Sequence, residues 1–391
     1  MPFRRRISRG LLLRGKSAND DDHYGLFNSS QGITNGDTRF GDPYWYISKN
    51  IDSNANTYIY RVHYSEHLKN NFAYEDRKLR MPDGDGGICD HVGDIDYHID
   101  RRELSDRAFI VASYEGCDNG NGRVAFFGSD DIDNSSETLY PRAVMDISDQ
   151  QVKDCPWVSV RNDGRIYSSR GGTGDSPRDP YWIYEYTIDW DDIRSERNPA
   201  YESRKITLRD SSGETLWLTE RQGGDFSSDG QLFFYNAYGA DGDGRIWVFD
   251  TSNPNDWYLL KKSSVSALPF YFDSDATWGP PIDELEGISY YDMNCVDGYH
   301  SGMPRSELHS MVLHNDETDD DELSIHHFTS LFYTWPERGI LAPFYLWWDD
   351  HGLWDGANLV LQPGTYVEEV TLKGRKVRLI APNGTSTIKI P

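Results

Sequence analysis

The sequence predicts an all-β fold in which a four-stranded unit repeats around a common axis. Three observations predict it. The first is composition: 14% of the 391 residues are aromatic, with 25 Tyr and 12 Trp beside 35 Gly. That mixture suits pleated, half-buried strands joined by tight turns. The second is alternation of apolar and polar positions in short runs such as "TYIYRVHY", "AFIVASY", "RVAFFGS", "YWIYEYTID", "QLFFYNA" and "RIWVFD". The third is spacing. "HVGDIDYH" at 91, "CPWVSV" at 155, "QGGDFSSDG" at 222 and "ELEGISYY" at 284 start 64, 67 and 62 residues apart, and "GDPYWYIS" at 41 precedes them by 50.

Residues 1–37 read as a basic arm and lead-in. The first 19 hold six Arg or Lys and no acid, whereas the remainder carries 33 basic residues against 64 acidic ones. A body that acidic repels nucleic acid and anionic membranes and attracts cations or basic partners. The three leucines Leu11–Leu13 are too short a run for the core of a secretory signal. No apolar run approaches the length that spans a bilayer. Three N-x-[ST] triplets begin at Asn28, Asn134 and Asn383. An extracellular or cell-surface location is the one favoured, with no clear signal peptide. Four cysteines (Cys89, Cys117, Cys155 and Cys295) contain no CxxC pair, which argues against a zinc site.

Residues 38–330 read as the repeated body. Glycine-bearing turns precede β-rich runs in "GNGRVAFF", "NDGRIYSS", "SDGQLFFY" and "DGDGRIWVF"; such dipeptides supply the positive φ that tight hairpins need. Long helical periodicity is absent. Four-stranded units closed into a ring remove most exposed sheet edges. His91–Tyr97, Pro156–Ser169, Gln222–Leu232 and Glu284–Ile288 resemble the units of the β-propeller superfamily. That resemblance implies five or six blades over about residues 40–330, and it names no activity, because propellers host binding proteins, lactonases, phosphatases and lyases alike.

An aromatic connector, 331–356, contains "GILAPFYLWWDDHGLW". The tail, 357–391, alternates apolar and polar positions between Pro-Gly and Asn-Gly turns. It resembles a coil of the pectin-lyase-like right-handed parallel β-helix. One or two coils cannot bury a core without stacked neighbours, so this β-solenoid-like appendage is expected to pack on the body or on another chain.

In the aligned units the opening strands line the axis, and their polar residues converge there. His91, Asp94, Asp96, Asp225, Glu284 and Glu286 are the candidate cation ligands, with Gln222 beside them. Carboxylates meeting from several units make a hard oxygen cage that suits Ca2+ rather than zinc. The plainer alternative is that these side chains bond turn backbone and tie neighbouring units together. Trp347, Trp348 and Trp354 are candidate sugar-stacking residues, or else a seal for the tail. His309 and His314 are further candidates near the channel. No G-x-S-x-G is present, and "RGGTGDS" lacks the Lys-Ser/Thr end of a phosphate loop.

The expectation is a non-catalytic propeller that presents a ligand or partner surface, with Ca2+ at its channel, attached to other subunits or copies through arm and tail. Two alternatives stand beside it. One is a metal-dependent hydrolase of phosphoesterase or lactonase type with its site in the channel, and the other is a glycan-binding protein.

Overall fold

The computed structural model describes residues 6–8, 12–13, 30–37, 41–51, 56–63, 77–82, 91–100, 107–117, 121–147, 155–170, 182–227, 229–239, 244–263, 283–292, 306–314, 322–329, 332–334, 358–361, 364–367, 378–380 and 386–389. Two short strands come first, β1 (Arg6–Ser8) and β2 (Leu12–Leu13). A first four-stranded unit follows: β3 (Ser30–Asn35), β4 (Tyr44–Ile51), β5 (Asn56–His63) and β6 (Arg77–Arg80). The second holds β7 (His91–Asp100), β8 (Arg107–Cys117), β9 (Asn121–Gly128) and β10 (Ala143–Asp146), with the one-turn helix α1 (Asp131–Asn134) ahead of β10. The third holds β11 (Ser159–Val160), β12 (Ile166–Ser169), β13 (Trp182–Ile188) and β14 (Tyr201–Arg209), with helix α2 (Trp190–Arg194) before β14. The fourth is β15 (Thr219–Phe226), β16 (Leu232–Tyr238), β17 (Gly244–Asp250) and β18 (Asp256–Lys262). The fifth has β19 (Asp283–Asp292), β20 (Ser306–His314) and β21 (Glu322–Thr329).

Each unit is an antiparallel meander. The fifth is completed from the other end of the chain: β1 and β2 both lie antiparallel on β21, with Arg6 opposite Thr329 and Leu12 opposite Ser324. The basic arm thus occupies an otherwise open strand edge of its own chain. The opening strands touch in a closed cycle, β3 to β7, β7 to β11, β11 to β15, β15 to β19, and β19 back to β3. This is the arrangement of a β-propeller, and the fold is all-β. The third and fourth units are further joined because β14 and β18, their outermost strands, pair in parallel.

The core lies between neighbouring units, where sheet faces meet. Tyr46 and Ile59 of the first unit pack with Ile110 and Phe127 of the second. Phe109 and Phe126 of the second meet Tyr186, Trp190 and Ile193 of the third. Trp157 and Tyr167 of the third meet Phe233, Tyr235 and Trp257 of the fourth. Phe234 and Ile246 of the fourth meet Ile288 and Leu308 of the fifth. Aromatic rings dominate these seams. Trp157 lies 5.3 Å from Tyr235, edge to face, an orientation set by the ring quadrupoles.

One boundary differs from the expectation at 38. The first unit opens with "SQGITN", and "GDPYWYIS" supplies its second strand. Gly32 to Gly93 is a step of 61 residues, so the shorter first gap disappears. The strand escapes an alternation search because its faces bury Ser30, Gln31 and Thr34 around a single large apolar residue, Ile33.

Beyond β21 the pairing becomes parallel. β22 (Phe332–Thr334), β23 (Asn358–Leu361) and β25 (Arg378–Ile380) form one short sheet. β24 (Gly364–Val367) and β26 (Ser386–Lys389) form another. Trp347, Trp348 and Trp354 lie outside the described residues. Among the described residues, no helix is long and apolar enough to cross a membrane.

Candidate functional site

The opening strands bring one small or acidic side chain from every unit to the axis: Thr34, Asp96, Ser159, Asp225 and Ser289. Each follows a point where its strand approaches its neighbours closely. β3, β7, β15 and β19 all shift register there, between Ser30 and Gly32, Val92 and Ile95, Thr219 and Gly223, and Leu285 and Ile288. Such bulges bend a strand and re-aim its side chains. Glycine permits the approach: a Cβ on Gly223 would stand 2.8 Å from Ile288 N.

Hydrogen bonds run through these residues around the whole ring. The hydroxyl of Thr34 bonds Asp96. Asp96 Oδ2 accepts from Val160 N at 2.5 Å in the third unit. Ser159 Oγ lies 3.2 Å from Asp96 Oδ2 and 3.3 Å from Asp225 Oδ1. Asp225 Oδ2 accepts from Tyr290 N at 2.5 Å in the fifth unit. Ser289 Oγ donates to Asn35 Oδ1 at 3.0 Å, which returns the circuit to the first.

Asp94 makes a second set of ties deeper in the ring. Its Oδ1 accepts from Ile33 N at 3.3 Å and from Ile95 N at 2.9 Å, and its Oδ2 accepts from Ile288 N at 3.2 Å. One carboxylate therefore joins the first, second and fifth units. Gly287 leaves the room it needs, since a Cβ there would collide with Asp94 Oδ1.

Burial dominates the electrostatics. It pushes Asp94 well above the usual carboxylate range; the Ile288 and Ile95 amides pull back, and the charges of Asp225 and Asp96 push up again. Burial raises Asp96 to about 6 against the bonds from Val160, Tyr97, Ser159 and Thr34. Asp225 is raised by burial and then by Asp96. Three carboxylates held together in a dry core cannot all ionise freely.

The other expected residues are distributed more widely. Glu286 is buried and accepts from Gln31 Nε2 at 3.3 Å. Gln31 Oε1 lies 2.7 Å from His91 Nε2; an amide oxygen only accepts, so His91 Nε2 is the donor. His91, Gln31 and Glu286 thus make a chain of their own, at the end of the ring where the opening strands begin. Gln222 is half-buried beside the buried Arg221. Glu284 lies opposite Leu313 in β19, and its side chain is outside the description, as is that of His314. His309 is buried edge-on against Trp45, centroids 4.6 Å apart, in the seam between the fifth and first units. Among the described residues no three His, Cys, Asp or Glu side chains group as a metal site. Asp94, Asp96 and Asp225 each accept amide hydrogens from the strands around them.

Sequence reasoning found the axial carboxylates and missed their partners: Thr34, Ser159, Ser289, Asn35 and Gln31. The usable signal was positional. A small polar residue follows two places after the glycine in "GIT" and "GIS", where "GGD" places Asp225.

No family model and no curated protein matches the chain. Solved structures resemble it distantly. The tail fiber of Staphylococcus aureus phage P68 is 12% identical, over 84% of this chain and 53% of that one, with a TM-score of 0.40. This chain therefore spans about half the length of that fiber. A GH43_1 enzyme from Xanthomonas citri complexed with xylose is 10% identical, over 76% of this chain and 86% of that one, at 0.42. The β-propeller domain of Cps50 (Swd1) from Myceliophteria thermophila is 10% identical, over 80% and 85%, at 0.34. At these values the likenesses carry no argument about activity.

Proposed function

We propose that this propeller is a non-catalytic binding and assembly protein whose axis serves as a structural clamp. The observation that carries this reading is the use of the axial carboxylates. Asp94, Asp96 and Asp225 each accept backbone amides from a neighbouring unit, so the groups best suited to chemistry hold the ring closed. Binding then falls to the rim and the tail.

The arm closes the fifth unit in its own chain, so attachment is assigned chiefly to the tail. Its strands pair in parallel, the pairing a solenoid coil uses, and so thin a stack needs a further layer to bury a face. A second copy or another subunit supplies that layer in this reading. Sedimentation velocity of the full chain against one lacking residues 357–391 tests it. A fall in oligomeric state on deletion is expected, and an unchanged state overturns the assembly role.

One observation favours a second reading. An acid raised to about 6 beside another carboxylate has the pKa of a general acid or base at neutral pH. In a hydrolase, Asp225→Asn would abolish turnover of a p-nitrophenyl phosphate or a simple lactone while the fold survives. The clamp reading expects no such turnover from the unmodified protein.

A further inference from the structure

The strand that closes the fifth unit differs from every other fourth strand in its covalent attachment. β6, β10, β14 and β18 each continue the meander of their own unit. The strand on β21 instead comes from residues 6–13, and the chain runs on from it to β3, the opening strand of the first unit. Its two pieces make one interrupted edge strand. From Ser8 opposite His327 to Leu12 opposite Ser324 the arm advances four residues and β21 three, so the arm carries one extra residue. Such a bulge disrupts the ladder locally. β20 and β21, by contrast, pair without a break from Glu307 opposite Thr329 to His314 opposite Glu322.

The attachment leaves this strand chain to spare. β19 and β21 run the same way and the arm runs against them, so Leu13 lies at the end of the unit where β19 begins. Three strand spacings, roughly 14 Å, separate the arm from β19, whose neighbour at the axis is β3. The sixteen residues 14–29 lie between the arm and β3, and that many reach up to about 55 Å when extended. The arm therefore has length enough to lie on β21 of an adjoining copy. Its departure from its own β21 would leave the meander of every unit intact.

Charge points to the same segment. Residues 1–19 hold six basic side chains and no acid, against 33 basic and 64 acidic in the remainder. Two such bodies repel each other, and the arm is the part of opposite sign that can pass between them. We propose that in the assembled state the arm is exchanged, so that β1 and β2 of one copy complete the fifth unit of a second copy. The strand pairs are the same within and between copies, so effective concentration decides between them. A tethered strand competes at roughly millimolar concentration, and exchange therefore needs copies already held side by side. The inference thus rests on the assembly role given to the tail.

Cysteine trapping in the full chain tests the exchange. Ile7 lies opposite Phe328, and residues so placed have Cα atoms about 4.5–5.5 Å apart, a span that a disulfide bridges. Ile7→Cys and Phe328→Cys are carried on two differently tagged chains, co-expressed and then oxidised. The expected result is a disulfide-linked heterodimer that is absent when either variant is expressed alone and absent from the parent, whose four cysteines set the background. Both substitutions on one chain should give links between copies as well as within one. Links confined to single chains, with no heterodimer from the mixture, overturn the proposal. A double variant that forms no link at all overturns it too, because it denies the pairing of β1 with β21. Assembly that depends on residues 357–391 without any heterodimer removes the exchange and leaves the tail's role standing. A heterodimer that persists without those residues supports the exchange and removes the tail's part in it.

Discussion

Asp96 and Asp225 stand on either side of one hydroxyl, with Ser159 Oγ 3.2 Å from the first and 3.3 Å from the second. A hydroxyl has one hydrogen to donate. Each carboxylate also takes an amide from the next unit, so the pair spans the second to the fifth units through a single serine.

This geometry makes stability depend on pH with a definite sign. In the unfolded chain an Asp titrates at about 3.9; in the fold Asp96 is raised to about 6, and Asp225 is raised as well. The folded state therefore binds more protons between those values. Stability should increase as pH falls from neutrality through 6, and be lost as pH rises through it, by a few kcal/mol. Below about pH 4 ordinary ion pairs neutralise and the trend reverses. Melting curves between pH 4 and 8 check this, and Asp96→Asn should flatten the slope. A melting temperature falling steadily from pH 7 downward would contradict it.

Asp94→Asn should destabilise more than its near-identical shape suggests. Both oxygens of Asp94 accept amide hydrogens, from Ile33, Ile95 and Ile288. An Asn side chain must turn its NH2 group toward at least one of those donors. Leaving a buried amide unmet costs about 1–3 kcal/mol. Denaturant unfolding should show a lower midpoint with an unchanged slope.

Gly287→Ala probes the same junction sterically. Besides striking Asp94 Oδ1, the new Cβ would stand 2.6 Å from Gly32 Cα and 2.9 Å from Ile33 N. Two of these neighbours are backbone, so relief requires β19 to move away from β3. Overpacking of this kind costs roughly 1–3 kcal/mol. Glu202→Ala, at an exposed position of β14 remote from that junction, serves as the control, and equal melting temperatures for the two variants would deny the close approach its importance.

The fold was largely legible because inter-unit seams bury both faces of the second and third strands, which then read as short apolar, aromatic-rich runs, as in "LFFYNAY" and "GRIWVFD". The opening strands were legible by motif rather than by pattern. They touch neighbours on both sides and at the axis, so Thr34, Asp96 and Ser159 are buried despite being polar. The acids at 94, 96 and 225 were found because carboxylates are conspicuous in a glycine-rich strand. Their partners among the described residues are chiefly backbone amides, which every residue carries and no sequence marks. The closing role of the arm was hidden for a similar reason. Strand pairing of β1 with β21 spans more than 300 residues, and charge was the stronger local signal.

Arg194 and Asp100 allow the worth of a buried ion pair between units to be measured. Arg194, at the end of α2 in the third unit, places Nε 2.7 Å from Asp100 Oδ2 at the end of β7 in the second, and its Nη2 donates to Asp100 O at 3.1 Å. Their side chains are 7% and 2% exposed. Arg194→Met removes the cation and leaves a carboxylate with little water, which should cost about 3–5 kcal/mol. Asp100→Leu alone takes away the carboxylate that the buried guanidinium faces and should also destabilise. The double variant removes both charges and keeps much of the volume, so it should recover most of the loss. A double-mutant cycle by urea unfolding reads the coupling. Penalties that simply add would mean that the two charges do not couple and that this seam owes its stability to its other contacts, such as the packing of Trp190 and the bond from Val144 N to Asn198 Oδ1.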